Sequence, residues 1–253
     1  MKRRNFLKSM AATGIAASMT GAVIPNRAEA AKKLDIGEIK GLKIDVLTET
    51  SWFNNDIFKK NIMDYGGAMT NQYTIPWQWD NAGGYAVLIT VTTLEGQERK
   101  FMMDFGWNND WMDYIYDEKS DVASLIEKDE IEFWVLSHWH LDHYWGIEST
   151  LKRKQDITLY APATYYPEDM ALLKDKAHHK AKNKETGEMD HICKNDYPHT
   201  GKLVLCDPKG QDGKGIYQVM PGVAVRNFDV PILLRVRGEN VLYFNVKDKG
   251  MVT

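Results

Sequence analysis

Between Ile131 and Leu136 the chain reads Ile-Glu-Phe-Trp-Val-Leu, a nearly continuous apolar run. So short a run of that composition marks a strand buried on both faces, as a central strand between layers is. Directly beyond it stands Ser137-His138-Trp139-His140-Leu141-Asp142-His143-Tyr144-Trp145-Gly146, which places three of the chain's seven histidines within six residues. In extended backbone, residues i and i+2 point to the same side, so His138 and His140 can converge on one ion. Asp142 and His143 fall where the chain turns and can approach from another direction. Imidazole and carboxylate suit zinc, iron or manganese, and the spacing suits one or two metals. A purely structural cluster would have to bury several unpaired ring nitrogens, which is costly.

The surrounding pattern is that of a layered α/β domain. Leu42 to Thr48 alternates as a strand. Tyr85–Thr93 and Lys100–Phe105 form a hairpin across Glu95-Gly96-Gln97, with Val87, Ile89 and Val91 on one face and Asp104-Phe105-Gly106 at its exit. Val122, Leu125 and Ile126 fall on one face of a helix over 120–129. A second helix is expected from Gly146 to about Gln155, followed by a strand over 157–161. Pro167 opens a third helix, with Glu168 and Asp169 in its first turn, expected to run to about Lys182 and to carry His178 and His179 on a solvated face. Residues 183–201 read as an exposed loop carrying His191 and His199. Strands are then expected at Leu203–Cys206, Ala224–Arg226 and Val241–Val246.

Residues 1–30 differ from the rest. Lys2, Arg3, Arg4 and Lys8 precede an almost uncharged stretch from Met10 to Ile24, and Ala28-Glu29-Ala30 offers a small-residue cleavage pattern. Arg3-Arg4-Asn5-Phe6-Leu7-Lys8 resembles a twin-arginine export signal. That resemblance implies passage through the twin-arginine translocation machinery as a folded protein, cleavage near Ala30, and a periplasmic or extracellular location with no stable membrane anchor. The apolar stretch falls short of the roughly 20 residues that span a bilayer. Removing residues 1–30 takes the formal charge from −3 to −7. The remaining domain, 31–253, has no wide basic field, so a nucleic-acid partner is not expected. No dinucleotide or phosphate-loop fingerprint is present either. Cys193 and Cys206 are too few for a disulfide framework or a four-thiolate zinc site, although one bridge remains open to them.

The motif resembles the metallo-β-lactamase-fold hydrolases, whose His-x-His-x-Asp-His signature is matched by His138, His140, Asp142 and His143. Asp104-Phe105-Gly106 is similar to that family's Asp-Thr-Gly element, and Tyr160-Ala161-Pro162 follows in the expected order. The resemblance covers roughly residues 42–253 and implies an αββα sandwich. It also implies His138 and His140 as ligands of a first metal, Asp142 and His143 as ligands of a second, and zinc as the cofactor, with iron or manganese as alternatives. Asp142 would stand beside the attacking water and Asp104 would orient the ligand loop from behind. The Leu-Thr-Glu-Thr opening at 47–50 bears a weaker likeness to the dihydropterin-type synthase branch.

The family's further ligands, a third histidine and a bridging acid, are not recognisable in the later strands. Val241–Val246, the turn Lys247-Asp248-Lys249-Gly250 and Met251-Val252-Thr253 read as an interrupted hairpin, so the chain is expected to be truncated in the C-terminal half of the sandwich. Three functions stay open. The first is a metal-dependent hydrolase of a small-molecule ester, amide or phosphodiester. The others are a metal-binding protein without turnover and, by fold analogy alone, a pterin-related transferase. Trp77, Trp79, Trp107, Trp111, Trp139 and Trp145 could line a pocket for a flat or apolar substrate or serve simply as core.

Overall fold

The computed structural model describes residues 35–50, 55–77, 83–211, 213 and 215–253. The chain divides into residues 1–35, of which only Asp35 is described, and a unit from Ile36 to Thr253. The export-signal segment and Trp79 lie outside the described residues.

In chain order the elements begin with β1 (Gly41–Thr48), α1 (Asn55–Asp64), β2 (Ala86–Thr92), β3 (Glu98–Met103), α2 (Asn109–Tyr114), α3 (Val122–Glu127) and β4 (Ile131–Val135). There follow α4 (Leu141–Tyr144), α5 (Ile147–Leu151), β5 (Leu159–Pro162), α6 (Pro167–Lys174), β6 (Ala177–Lys182) and β7 (Met189–Asn195). The last are β8 (Leu203–Cys206), β9 (Tyr217–Met220), β10 (Val223–Pro231), β11 (Arg237–Val246) and β12 (Gly250–Val252).

One sheet runs β1-β2-β3-β4-β5-β8, antiparallel as far as β3 and parallel beyond it. The second, β12-β11-β10-β9, is antiparallel throughout. Because side chains alternate along a strand, β2 presents Val87, Ile89 and Val91 to one side, where they join Phe101, Phe133 and Val135. These residues meet Val223, Val225, Leu242 and Phe244 of the second sheet. The opposite face of the first sheet, with Leu88, Met102 and Trp134, packs under Met112, Leu125, Leu151 and Leu172 of the helices. Helices, sheet and sheet are the α, β and β layers of the expected sandwich, and β4 is buried on both faces as its sequence requires.

Three expectations are corrected. The helix opened by Pro167 ends at Lys174, and Ala177–Lys182 is the strand β6, so His178 and His179 lie on a strand and not on a helix face. The region 183–201 is not all loop, since it contains β7, which pairs with β6 from Ala177↔Asn195 to Lys182↔Met189. The turn between them supplies the reason. Asn183 Oδ1 accepts from Glu185 N at 2.8 Å and Thr186 N at 3.3 Å, and Gly187 adopts φ +75°, so the chain reverses and gives β6 a partner. The helix expected over 146–155 is the single turn and a half of α5, entered through the separate turn α4. Cys193 and Cys206 are both free, one buried under the helices and the other between the sheets.

Candidate metal centre

The motif occupies the place where β4 stops. Leu136 N still donates to Tyr160 O at 2.8 Å, after which no strand pairing continues and His138 to His140 run extended to the start of α4. The stretch is clamped from the helix layer by the fully buried Gln72. Its Nε2 donates to Trp139 O at 2.7 Å while its Oε1 accepts from Leu141 N at 3.0 Å, which fixes the backbone on both sides of His140. The entry to β2 and the exit of β3 tie in the next turn, with Tyr85 N donating to Asp142 O at 2.7 Å and Phe105 N to His143 O at 2.8 Å.

The four motif side chains meet. The ring of His138 lies 4.7 Å from that of His140 and 4.2 Å from that of His143, centre to centre. Asp142 Oδ2 stands 3.6 Å from His143 Nε2 and accepts from Thr50 Oγ1 at 2.9 Å. Asp104, with no exposed surface and a backbone φ of +63°, sits behind them. It accepts from Ser137 N at 2.7 Å, Ser137 Oγ at 2.8 Å and His143 Nδ1 at 2.7 Å.

These contacts set the protons on the rings. A carboxylate facing Nδ1 of His143 keeps a hydrogen there and leaves Nε2 on the side of Asp142. His140 donates Nε2–H to Leu233 O at 2.5 Å, which leaves Nδ1 as its lone-pair nitrogen. Because Ser137 Oγ spends its hydrogen on Asp104, it accepts from His138 Nδ1 at 3.0 Å, and Nε2 of His138 is left for a ligand. Electrostatics separate the rings further. Burial, reinforced by the neighbouring His138, pulls His140 down to about 4. Burial works against charge on His143 as well, but the Asp104 carboxylate, helped by Asp142 and Glu239, outweighs it and lifts the ring to about 9.

Among the described residues no group of three or more histidine, cysteine or carboxylate side chains is placed so that it could hold a metal ion as it stands. The donor chemistry nevertheless fits a borderline divalent cation, with three imidazoles and one carboxylate whose neighbours hold the far nitrogen of each ring. His191 and His199 do not join them. His199 is buried between Lys174 Nζ at 2.9 Å and Ile157 O at 2.8 Å, where it anchors its loop, and His191 lies across from His178 on the β6–β7 hairpin. Trp77, Trp107 and Trp145 line a cavity of about 530 Å³ beside that hairpin, and no motif histidine takes part in it. Trp139 is fully buried and Trp111 donates to Thr48 Oγ1, so these two serve packing and the β1 exit.

Several contributors were not legible beforehand: Gln72, Thr50, the Leu233 carbonyl and Glu239. Glu239 Oε2 lies 3.3 Å from His138 Nδ1. Thr50 and Glu239 are single polar residues without a spacing pattern, and a backbone carbonyl has no signature in sequence at all.

Residues 82–223 match the family model described as the metallo-beta-lactamase superfamily, which is more than half of the chain. The chain belongs to that superfamily. Among solved structures it is similar to the Rm3 metallo-beta-lactamase, with 18% identity over 66% of this chain and 52% of that one and a TM-score of 0.38. It is also similar to the metallo-beta-lactamase MIM-1 from Novosphingobium pentaromativorans, with 13% identity over 64% of this chain and 50% of that one and a TM-score of 0.37. The chain thus spans about half the length of either structure. No curated protein matches it. The superfamily's fold is of metal-dependent hydrolase type, and its members typically bind metal ions.

Proposed function

We propose that the chain is a metal-dependent hydrolase acting on an ester, amide or phosphodiester bond of a small-molecule substrate. In this reading His138, His140, Asp142 and His143 hold one or two divalent cations, zinc first and iron or manganese as alternatives. The observation that supports it most is the convergence of three imidazoles whose far nitrogens are each occupied by protein, which leaves the near nitrogens for an ion. A divalent cation bound there acidifies water and polarises a carbonyl or phosphoryl oxygen.

The chain's own residues supply the rest. Asp142, fixed through Oδ2 by Thr50, keeps Oδ1 to accept the proton of an attacking water and to orient that water. Asp104 and Ser137 hold His143 and His138 in register, while Gln72 keeps the backbone from moving as substrate enters. The largely buried motif limits competing solvent, which strengthens the fields acting on the substrate.

The test is a metal titration of the purified, chelator-treated full chain, followed by assays on generic ester and phosphodiester substrates. Stoichiometric uptake of zinc, iron or manganese, with turnover lost in Asp142→Asn and in the chelated protein, is the expected result. Uptake without turnover would replace this reading with a metal-binding protein, and no uptake would remove both. The Arg3-Arg4 segment supports export through the twin-arginine machinery with the ion already loaded. Cell fractionation checks that, and recovery solely from the cytoplasm would count against it.

A further inference from the structure

We propose that Glu239, a carboxylate from the second sheet, is a positioning residue of the metal centre: it stands against His138 Nδ1 and fixes that ring with Nε2 directed at the ion. This rests on the reading of the motif as a metal site.

Glu239 belongs to β11, whose start is bound to the loop that carries His138. Asn240 N donates to Ser137 O at 2.8 Å, Asn240 Nδ2 donates to Leu136 O at 3.0 Å, and Asn240 Oδ1 accepts from Asn227 Nδ2 at 2.9 Å. Asn240 is 1% exposed, so these bonds are sheltered from water and hold the two sheets together at this point. The adjoining Glu239 therefore cannot drift relative to His138, and its Oε2 lies 3.3 Å from Nδ1. Among the described residues the only ion pair of Glu239 is with His138, whereas the nearby Arg237 is paired with Asp229. A solvated surface glutamate on a strand would have no reason to face an imidazole in place of a cation.

A tighter version of this arrangement operates at His143, whose Nδ1 donates to Asp104 Oδ2 at 2.7 Å, whereas at His138 the Nδ1 hydrogen goes to Ser137 Oγ at 3.0 Å and Glu239 adds a carboxylate charge beside the same nitrogen. A carboxylate on that side of the ring retains the Nδ1 hydrogen, turns the Nε2 lone pair away and makes it a better donor. Asp104 comes from the first sheet and Glu239 from the second, so one histidine of the motif is set by each sheet. Glu239 sits on the Nδ1 side of His138, opposite the nitrogen left for a ligand, which favours positioning over direct ligation.

The test titrates Co²⁺, read by its visible absorption, into the chelator-treated full chain and into Glu239→Gln and Glu239→Asp. Glu239→Gln is expected to bind roughly 10- to 100-fold more weakly, with band positions unchanged because the donor set is unchanged, and Glu239→Asp to fall between it and the parent. The thermal midpoints of the metal-free proteins should agree, since the Glu239 side chain is one-third exposed. Equal affinities overturn the inference, and so does a shift of the bands, which would make Glu239 a ligand. If Glu239→Gln does not fold, Glu239→Asp alone decides, and parent-like affinity overturns the inference. If the parent chain itself binds no Co²⁺, the metal-site reading has failed and the role of Glu239 falls with it.

Discussion

At the scale of single residues, two buried carboxylates each carry a testable consequence. Asp104 holds a left-handed backbone that only a few per cent of non-glycine residues adopt, and it does so while accepting three hydrogen bonds from Ser137 and His143. Asp104→Ala would strand those donors, each at about 1–3 kcal/mol, so urea unfolding of the metal-free protein should show a loss of at least about 2 kcal/mol. An unchanged midpoint and slope would show that the network adds nothing. Asp169, fully buried in the first turn of α6, accepts from Tyr73 Oη at 2.6 Å and Tyr166 N at 2.7 Å, yet burial outweighs both bonds and raises it to about 7. Between the ordinary carboxylate range and about 7 the folded state keeps a proton that the unfolded state has lost, so this residue favours folding at low pH and its contribution is lost as pH rises to about 7. Each pH unit crossed is worth at most about 1.4 kcal/mol. Asp169→Asn should flatten that slope, measured as unfolding free energy from pH 4.5 to 7.5, and an identical slope would mean that Asp169 is ionised throughout. Asp104 could be anticipated because Asp104-Phe105-Gly106 at a strand exit resembles the family's Asp-Thr-Gly element, whereas Glu239 could not, since its role depends on which strand of another sheet comes alongside.

At the scale of elements, legibility followed how local the cause is. The hairpin of β2 and β3, the doubly buried β4 and the short β8 all announce themselves through alternation or apolar runs that need no distant partner. The segment Ala177–Lys182 does not, because Ala-His-His-Lys-Ala-Lys has no apolar face and takes strand form only through pairing with β7. The start of β11 was likewise hidden, since Arg-Gly-Glu-Asn looks like a turn until Asn240 is seen bonded to the end of β4. The motif itself depends on a close approach at Gly84, just before β2, where φ is +67° and an added Cβ would meet Asp142 O at 2.3 Å and Trp107 N at 2.5 Å. Gly84→Ala must therefore push the backbone of Asp142 away or unfold the entry to β2. Overpacking of this kind costs about 1–3 kcal/mol and sometimes more, and a lowered thermal midpoint accompanied by weaker Co²⁺ binding is the expected pair of effects. A midpoint equal to the parent's would show that the entry to β2 and the turn carrying Asp142 can separate freely.

At the scale of the whole molecule, the candidate centre is assembled across two sheets, so its geometry is tied to the core that joins them. The first sheet supplies Asp104 and the motif, while the Leu233 carbonyl, on the turn between β10 and β11, and Glu239 come from the second. What keeps these parts at a fixed separation is the aromatic stack of Phe101 on Phe133, with ring centres 4.5 Å apart, and the nearby Phe244 of the second sheet, 6.4 Å from Phe101. Phe101 is fully buried, so Phe101→Ala should cost about 3–5 kcal/mol in urea unfolding. Ile44 on the edge strand β1 makes a control, because at 47% exposure its replacement by alanine should stay within about 0.5 kcal/mol. The decisive comparison is in metal binding by the folded proteins. If the sheets jointly set the histidines, Phe101→Ala loses Co²⁺ affinity under conditions where it remains folded, while Ile44→Ala does not. Equal affinity in the two variants would mean that the motif loop is held from the side of the first sheet alone, through Gln72, Asp104, the entry to β2 and the exit of β3.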